Sequence, residues 1–379
     1  MPDMVLFISN GHGEDLIAAT IIKELRDIQH RQQKTVDETA TTASTISALP
    51  LVGKGNAYSE INIPMLVPGK EMPSGGFVMT NKDLFKDIKA GWLKLTWKQL
   101  TALWKIRKNV NLVVSIGDTY PLLLSLIIKR AQKIFLSTAK SSYVGNHNHT
   151  ELWAMRGFIQ KVYARDQLTS DYLSNNGINS EYAGNVMMDN LTFTDEDFGI
   201  EPNDLVIGIL PGSRQEAYAN LEMINKACNA IRNRPVKEKT VFLIAIAPTI
   251  DKNKVEHIME YSEDVIVSEK FGDVLNWSEV IIGLSGTANE QAVGLGKPVV
   301  AFPASGPQTS HYRFRLQRRL LGNGVTLLDH FDPDKTADTV LSILADRHKR
   351  EEVKKTGLER MGKPGAAKKI ASEIHSLIK

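Results

Sequence analysis

Short apolar runs rich in β-branched residues alternate along the chain with longer segments whose apolar positions recur at helical spacing. Candidate strands are VLFIS (5–9), ISALPLV (46–52), LVVSIG (112–117), KIFLST (133–138) and KVYAR (161–165). A second set follows at LVIGIL (205–210), VFLIAIA (241–247), DVIVS (264–268), VIIGL (280–284), PVVAF (298–302) and VTLL (325–328). Strands bounded by glycine and proline and separated by helices predict parallel sheets with crossover helices. Acids, a glycine and Pro202 break the periodicity in TFTDEDFGIEPNDL (192–205), and a new strand starts after it. The pattern therefore predicts an α/β protein of two Rossmann-like parallel-sheet domains, 1–191 and 200–364, facing a cleft. A final helix is expected over 365–379. The Thr/Ser/Ala tract 35–47 and the segment VPGKEMPSGGF (67–77) read as surface loops; the second follows a strand, on the side where such sheets bind ligands.

Length and composition narrow this picture. At ~100 to 200 residues per domain, 379 residues suit two domains. A composition of 42% hydrophobic and 23% charged residues excludes a fibrous or wholly disordered chain. The net charge of +3, without an aromatic RNA-binding motif, argues against nucleic acid as a partner. Cys228 is the single cysteine, so an internal disulfide and a cysteine-built zinc site are excluded; it reads as a small buried residue in a reducing cytoplasm. The N-terminus lacks the basic region of a signal peptide and reads as the first strand. The longest apolar stretch, PLLLSLII (121–128), falls well short of the ~20 residues that span a bilayer.

Two strand-to-helix turns carry the clearest chemistry. In VIIGLSGTANEQAVGLGKP (280–298) a buried strand ends at Gly283, and Ser285, Gly286 and Thr287 form a small-residue turn before a helix. In IGILPGSRQEAYANL (207–221) Gly212 and Ser213 form a similar turn, with Arg214 where the helix begins. A helix N-terminus carries roughly half a positive charge and free amides, and a guanidinium adds a fork of donors, so the two turns suit a diphosphate. Neither is a P-loop, because Lys297 is followed by Pro298. The opening GHGEDL (11–16) is not a dinucleotide fingerprint either, since Leu16 stands where the third glycine belongs.

On LPGSRQE (210–216) and SGTANEQAVGLGKPVV (285–300), with looser matches in SNGHGEDL (9–16), SIGDTYP (115–121) and YAGNVMMDNL (182–191), the sequence resembles GT-B glycosyltransferases, most of all the lipid-A-disaccharide synthases. The resemblance implies a hexosyltransferase whose C-terminal half binds a UDP-sugar, of N-acetylglucosamine type, and whose N-terminal half binds a lipid-linked or glycan acceptor. It implies donor contacts from Gly212, Ser213, Arg214, Gly283, Ser285, Gly286, Thr287 and Glu290, and from Gln308 in GPQTSHYRFRLQRRLLG (306–322). It also implies a C-terminal helix that returns to the first domain. The synthases carry an acid as SGTAxxE, which falls on Gln291 here, whereas Glu290 comes one residue earlier. UDP-N-acetylglucosamine 2-epimerases have an acid at the earlier place, so an epimerase is the alternative, beside a sugar-nucleotide-binding protein without catalysis.

Transfer needs a counter-charge for the departing diphosphate and a base for the acceptor hydroxyl. The two turns supply the first, so neither a metal nor a cofactor is expected. For the base, His12 and Asp118 both follow strands of the N-terminal half, and histidine side chains titrate close to neutrality. Gly11, Gly13 and Glu14 accompany His12 on the acceptor side, and Glu14 or Asp15 either orients it or only serves the first helical turn; a turn histidine and a capping aspartate are the other readings of His12 and Asp118. The DPD at 332–334 reads as a helix cap at Pro333, GNG (322–324) as a turn, and His147 and His149 lack a third metal ligand. The arginines after Gln308 read as a solvated helix face. Finally, KDLFKDIKAGWLKLTWKQLTALWKIRK (82–108) holds Trp92, Trp97 and Trp104 among eight Lys or Arg and two Asp. Two readings stand: a peripheral contact with the cytoplasmic membrane face, or two helices packed on the sheet with a break at Gly91.

Overall fold

A computed structural model describes residues 4–33, 44–72, 81–260, 262–304, 306 and 309–378. Most of the tract 35–47, the end of the loop 67–77, and Gln308 lie outside the described residues. The chain divides into two compact units, Met1–Asn190 with Lys363–Lys379, and Leu191–Gly362.

The first unit runs β1 (Met4–Ser9), α1 (His12–Gln33), β2 (Thr45–Pro50), α2 (Asn56–Glu60), α3 (Asn81–Lys89), α4 (Trp92–Ile106), β3 (Val110–Ile116), α5 (Thr119–Ser125), β4 (Gln132–Ser137), α6 (His149–Phe158), β5 (Lys161–Ala164), α7 (Gln167–Asn175) and β6 (Ser180–Glu181). Its strands pair in parallel in the order β2-β1-β3-β4-β5-β6. Sequence patterning misses β6, because two residues show no alternation. Side chains of β1 alternate between two cores. Val5 and Phe7 pack with Ile17, Ile21 and Leu25 of α1, whereas Leu6 and Ile8 pack with Leu95 and Leu103 of α4. Full burial of each such side chain stabilises by about 1.5–3 kcal/mol, so a sheet covered on both faces accounts for the near-continuous apolar runs.

The second unit runs β7 (Leu205–Leu210), α8 (Glu216–Arg232), β8 (Thr240–Ala245), α9 (Lys252–Ile258), β9 (Val265–Ser268), α10 (Phe271–Trp277), β10 (Val280–Gly283), α11 (Thr287–Gly294), β11 (Val299–Ala301), α12 (His311–Leu321), β12 (Val325–Leu327), α13 (Pro333–Ala345) and α14 (Arg347–Met361). Its parallel sheet has the order β12-β11-β10-β7-β8-β9. Asp332 caps α13 by accepting the Lys335 amide at 2.9 Å with Pro333 in the first turn, as the DPD pattern predicts. Gly322–Gly324 is a single 3₁₀ turn, and Cys228 is fully buried on α8.

The chain then forms α15 (Ala366–Leu377), which packs on α1 and buries Ala367, Ile370, Ala371 and Ile374 in the core of the first unit. Asp189 fastens its start by accepting the amides of Gly365 and Ala367.

Both sheets reverse their direction of winding beside their first strand. From β1 the chain adds β2 on one side and then β3 on the other; from β7 it adds β8 and β9 on one side and then β10 on the other. The crevice outside the carboxyl ends of such a strand pair is where open parallel sheets bind ligands.

Candidate functional site

At the second reversal, Gly283 lies opposite Leu210 in register, and the Leu284 amide donates to the Leu210 carbonyl at 2.8 Å. The two chains therefore leave the sheet level with each other. Between their turns lies a cavity of about 220 Å³, lined by Gly212, Ser213, Arg214, Ser285, Gly286 and Thr287 of the expected donor residues. Pro211, Glu216, Ala217, Asn220, Leu284, Gly306 and Thr309 complete its wall. Neither α8 nor α11 has a side-chain cap, whereas α9, α12, α13 and α14 are capped by Asp251, Ser310, Asp332 and Asp346. First-turn amides of two helices thus border one cavity, a natural anion site.

Local packing fixes these turns. Gly212 has φ +105°, a left-handed conformation that favours glycine, and Asn220 Nδ2 holds the Pro211 carbonyl at 2.8 Å. Gln317 of α12 donates to the carbonyls of Gly286 at 2.9 Å and Ser285 at 3.3 Å, and accepts from Asn289 at 3.0 Å. Gly283 lies behind the cavity wall: a Cβ there would stand 2.2 Å from Asn289 Oδ1, so this glycine makes room for the amide that holds the turn. Glu290 is half-buried in the first turn of α11 and outside the lining, and Gln291 is buried. The guanidinium of Arg214 is exposed and forms no ion pair with Glu216 or Glu222. Arg313 is held below the usual arginine range by burial, and the Arg214 charge adds to that shift. Sequence reasoning missed Gln317, whose bonds reach back 31 and 32 residues, Asn220, which folds back nine residues onto Pro211, and Arg313, whose burial the sequence does not display.

At the first reversal, Ser9 lies opposite Ile116, and the site residues follow. Gly11 turns the chain at φ +111°, its carbonyl accepting the Asp15 amide at 2.9 Å. His12 is exposed at the first position of α1, and Gly13 beside it is also exposed. Asp15 is buried and turned inward: it accepts from Ser9 Oγ at 2.6 Å, and that hydroxyl meets Tyr58 Oη at 2.5 Å. This geometry corrects the expectation that Asp15 orients His12. Burial lifts Asp15 to about 7 against the pull of Ser9. Glu14 is half-buried, and burial raises it to about 7, with the charges of Asp118 and Asp15 adding to the rise. Its Cγ lies against Gly117, 3.5 Å from where a Cβ would stand. Asp118 is raised by burial too, but both its oxygens are engaged. Oδ1 caps α5 by accepting the Tyr120 amide at 2.9 Å, and Oδ2 accepts from Asn10 at 3.2 Å.

Beyond this cluster, His147 is buried in a network around Glu151. It meets Glu151 at 3.2 Å and Ser137 at 3.0 Å, and Lys140 reaches Glu151 at 2.7 Å. Burial pushes Glu151 up, but His147, Lys140, Thr119 and the Asn148 amide outweigh it, so the carboxyl sits well below its usual range. His149 begins α6 away from that ring, and among the described residues no cluster of three or more acids, histidines or cysteines is arranged to hold a metal. On α4, Leu93, Trp97 and Trp104 are 58%, 69% and 61% exposed and fall on one helical stripe. Lys94, Lys98 and Lys105 form a second stripe beside it, and Arg107 stacks on Trp104 at 3.8 Å. Gly91, at φ +95°, separates α3 from α4 as expected.

No protein-family model matches the chain. A curated relative, the lipid-A-disaccharide synthase of Syntrophotalea carbinolica, is 23% identical over 370 residues, covering 87% of this chain and 88% of that protein. Among solved structures, the calicheamicin glycosyltransferase CalG4 matches with a TM-score of 0.63 at 15% identity, over 100% of this chain and 98% of its own. The UDP-GlcNAc 2-epimerase of Neisseria meningitidis, solved with UDP-GlcNAc bound, matches with a TM-score of 0.58 at 15% identity, over 99% and 100%. The fold is of the GT-B type. In sequence the chain resembles the lipid-A-disaccharide synthases. The two crevices described above lie at the strand ends of the two units, one rich in carboxylates and one in amides and arginine.

Proposed function

We propose that this protein transfers a hexosyl unit, of N-acetylglucosamine type, from a UDP-sugar to a lipid-linked acceptor, as a lipid-A-disaccharide synthase-like enzyme. The observation that carries the reading is the cavity between two uncapped helix N-termini with Arg214 at its edge, in a fold shared with a glycosyltransferase and with a UDP-GlcNAc 2-epimerase. In the proposed reaction the acceptor oxygen bonds to the anomeric carbon, the bond from that carbon to the phosphate oxygen breaks, and UDP leaves. The amides of α8 and α11 and the Arg214 guanidinium take up the charge of the leaving diphosphate, so the scheme needs no metal. Activity is expected to survive EDTA.

For the proton of the acceptor hydroxyl we favour Glu14 over the two residues expected from sequence. Its pKa of about 7 gives a mixed population near neutrality, the best compromise between availability and basicity. Asp118 spends both oxygens on hydrogen bonds, and His12 is exposed, with no hydrogen-bond partner among the described residues to orient its ring as a base. The α4 stripe supports a peripheral membrane contact, since exposed tryptophans flanked by lysines suit the headgroup region of an anionic bilayer. Among the described residues no helix is long and apolar enough to cross a membrane. Trp97→Ser/Trp104→Ser should lower co-sedimentation with phosphatidylglycerol vesicles severalfold at low salt, and equal sedimentation would remove this face from the proposal.

Incubation with labelled UDP-N-acetylglucosamine tests the reaction. UDP release only when a lipid-linked acceptor is present is the expected result. Release of UDP with free N-acetylmannosamine and no acceptor would replace it with epimerisation, which the Neisseria match and the position of Glu290 keep as the second reading.

A further inference from the structure

A second cavity in the C-terminal unit, an open one of about 650 Å³, is lined by Arg315, Arg318 and Arg319 of α12, Lys349 of α14, Gly322 and Asn323 of the 3₁₀ turn, and Val325, Thr326 and Leu327 of β12. We infer that this is a second anion site, which takes a ligand carrying two or more phosphate groups. It is distinct from the Arg214 cavity, with which it shares no lining residue.

Three observations converge. First, Arg315, Arg318 and Arg319 stand at i, i+3 and i+4, so they share one face of α12, and Lys349 adds a fourth cation from another helix. The opposite face of α12 carries Phe314, Gln317, Leu320 and Leu321, which are buried, so the helix cannot turn its arginines elsewhere. Second, no carboxylate lines the cavity, and among the described residues none of these four side chains has an ion pair. Two other arginines of the unit are paired: Arg232 with Asp264 at 2.7 Å, and Arg234 with Asp334 and Asp338, each at 2.9 Å. Third, the edge strand β12 and the 3₁₀ turn before it border the cavity, where Thr326 and Asn323 offer neutral polar groups beside the cations. Four like charges at the exposed rim of one cavity repel one another through solvent, and a multiply charged anion relieves that repulsion. Guanidinium forks match phosphate oxygens in pairs, which favours phosphate over a single carboxylate. A volume of this size suits a small molecule or a lipid headgroup.

The test titrates sodium tripolyphosphate into the full-length protein at low salt by calorimetry, beside Arg315→Gln/Arg318→Gln/Arg319→Gln and Arg214→Ala. Saturable binding that survives Arg214→Ala and weakens at least tenfold in the triple variant is expected. A triple variant with an unchanged thermal midpoint rules out misfolding as the cause; should it fail to fold, Lys349→Gln with Arg319→Gln serves, with a smaller expected loss. The source of the phosphate is separated with vesicles of phosphatidic acid in a Trp97→Ser/Trp104→Ser background. Tripolyphosphate binding points to a free ligand, whereas arginine-dependent vesicle binding without it points to a headgroup. Unaltered binding in the triple variant, or no saturable binding of either probe, would overturn the inference.

Discussion

The two units share one device and use it oppositely. Each places its candidate residues where the sheet reverses, after β1 and β3 in one unit and after β7 and β10 in the other. In the first unit those positions hold Glu14, Asp15 and Asp118, three carboxyls whose pKa values burial raises. In the second they hold two uncapped helix starts and Arg214, with Arg313 nearby. The strand order fixes where a ligand can sit, and the side chains after the strands decide its charge. A proton acceptor and an anion clamp are the two functions that glycosyl transfer needs.

That division can be broken experimentally. The largest effect is expected from Glu14→Gln, which should lower kcat by about 10²–10⁴ while leaving the affinity for UDP intact. In the unchanged protein kcat should rise with pH through about 7, as Glu14 loses its proton, and the variant should lack that rise. If His12→Ala or Asp118→Asn removes the rise instead, the base lies there. Arg214→Ala should act the other way, weakening UDP binding about ten- to a hundredfold, the range of a hydrogen bond to a charged group. Equal UDP affinity by calorimetry would separate Arg214 from the donor.

Smaller effects test the scaffolding of each side. Gly283→Ala forces a Cβ against Asn289 Oδ1 and should cost about 1–3 kcal/mol in chemical denaturation, with looser UDP binding as the α11 turn shifts. Asp15→Asn tests the buried side of the carboxylate cluster. Asp15 has a folded pKa near 7, above its ordinary value of 3.8, so the folded state keeps a proton that the unfolded chain releases. Its contribution to stability is complete below pH ~4 and is lost as pH rises to 7. Between pH 5 and 8 the unchanged protein should therefore lose more stability than Asp15→Asn, by on the order of 2 kcal/mol. Identical pH profiles would show that Asp15 is not buried as a neutral acid.

Much of the fold was legible because its causes are local. Fully buried strands such as Val206–Leu210 and Val280–Gly283 advertise themselves as apolar runs, and Pro333 after Asp332 announces a helix start. The two strand-to-helix turns at 211–214 and 284–287 were legible too, since such corners need small residues. Glu14 was visible as an acid near the site but not as a candidate base. Its shift comes from burial and from Asp118, which is 104 residues away in the chain. Arg315, Arg318 and Arg319 of α12 are exposed, as the solvated-face reading expected; the sequence does not display that they border one groove with Lys349.

The sequence by itself determined the alternation of strands and helices, the two sheets and the chemical kind of each turn, all of which follow from spacing within a few residues. Tertiary structure alone decided the strand order. It thereby brought Leu210 beside Gly283 in one unit and Ser9 beside Ile116 in the other, so that within each unit distant turns meet at its own crevice. It also decided which carboxyls are buried enough to hold protons near pH 7, because desolvation depends on what the whole fold packs around a group.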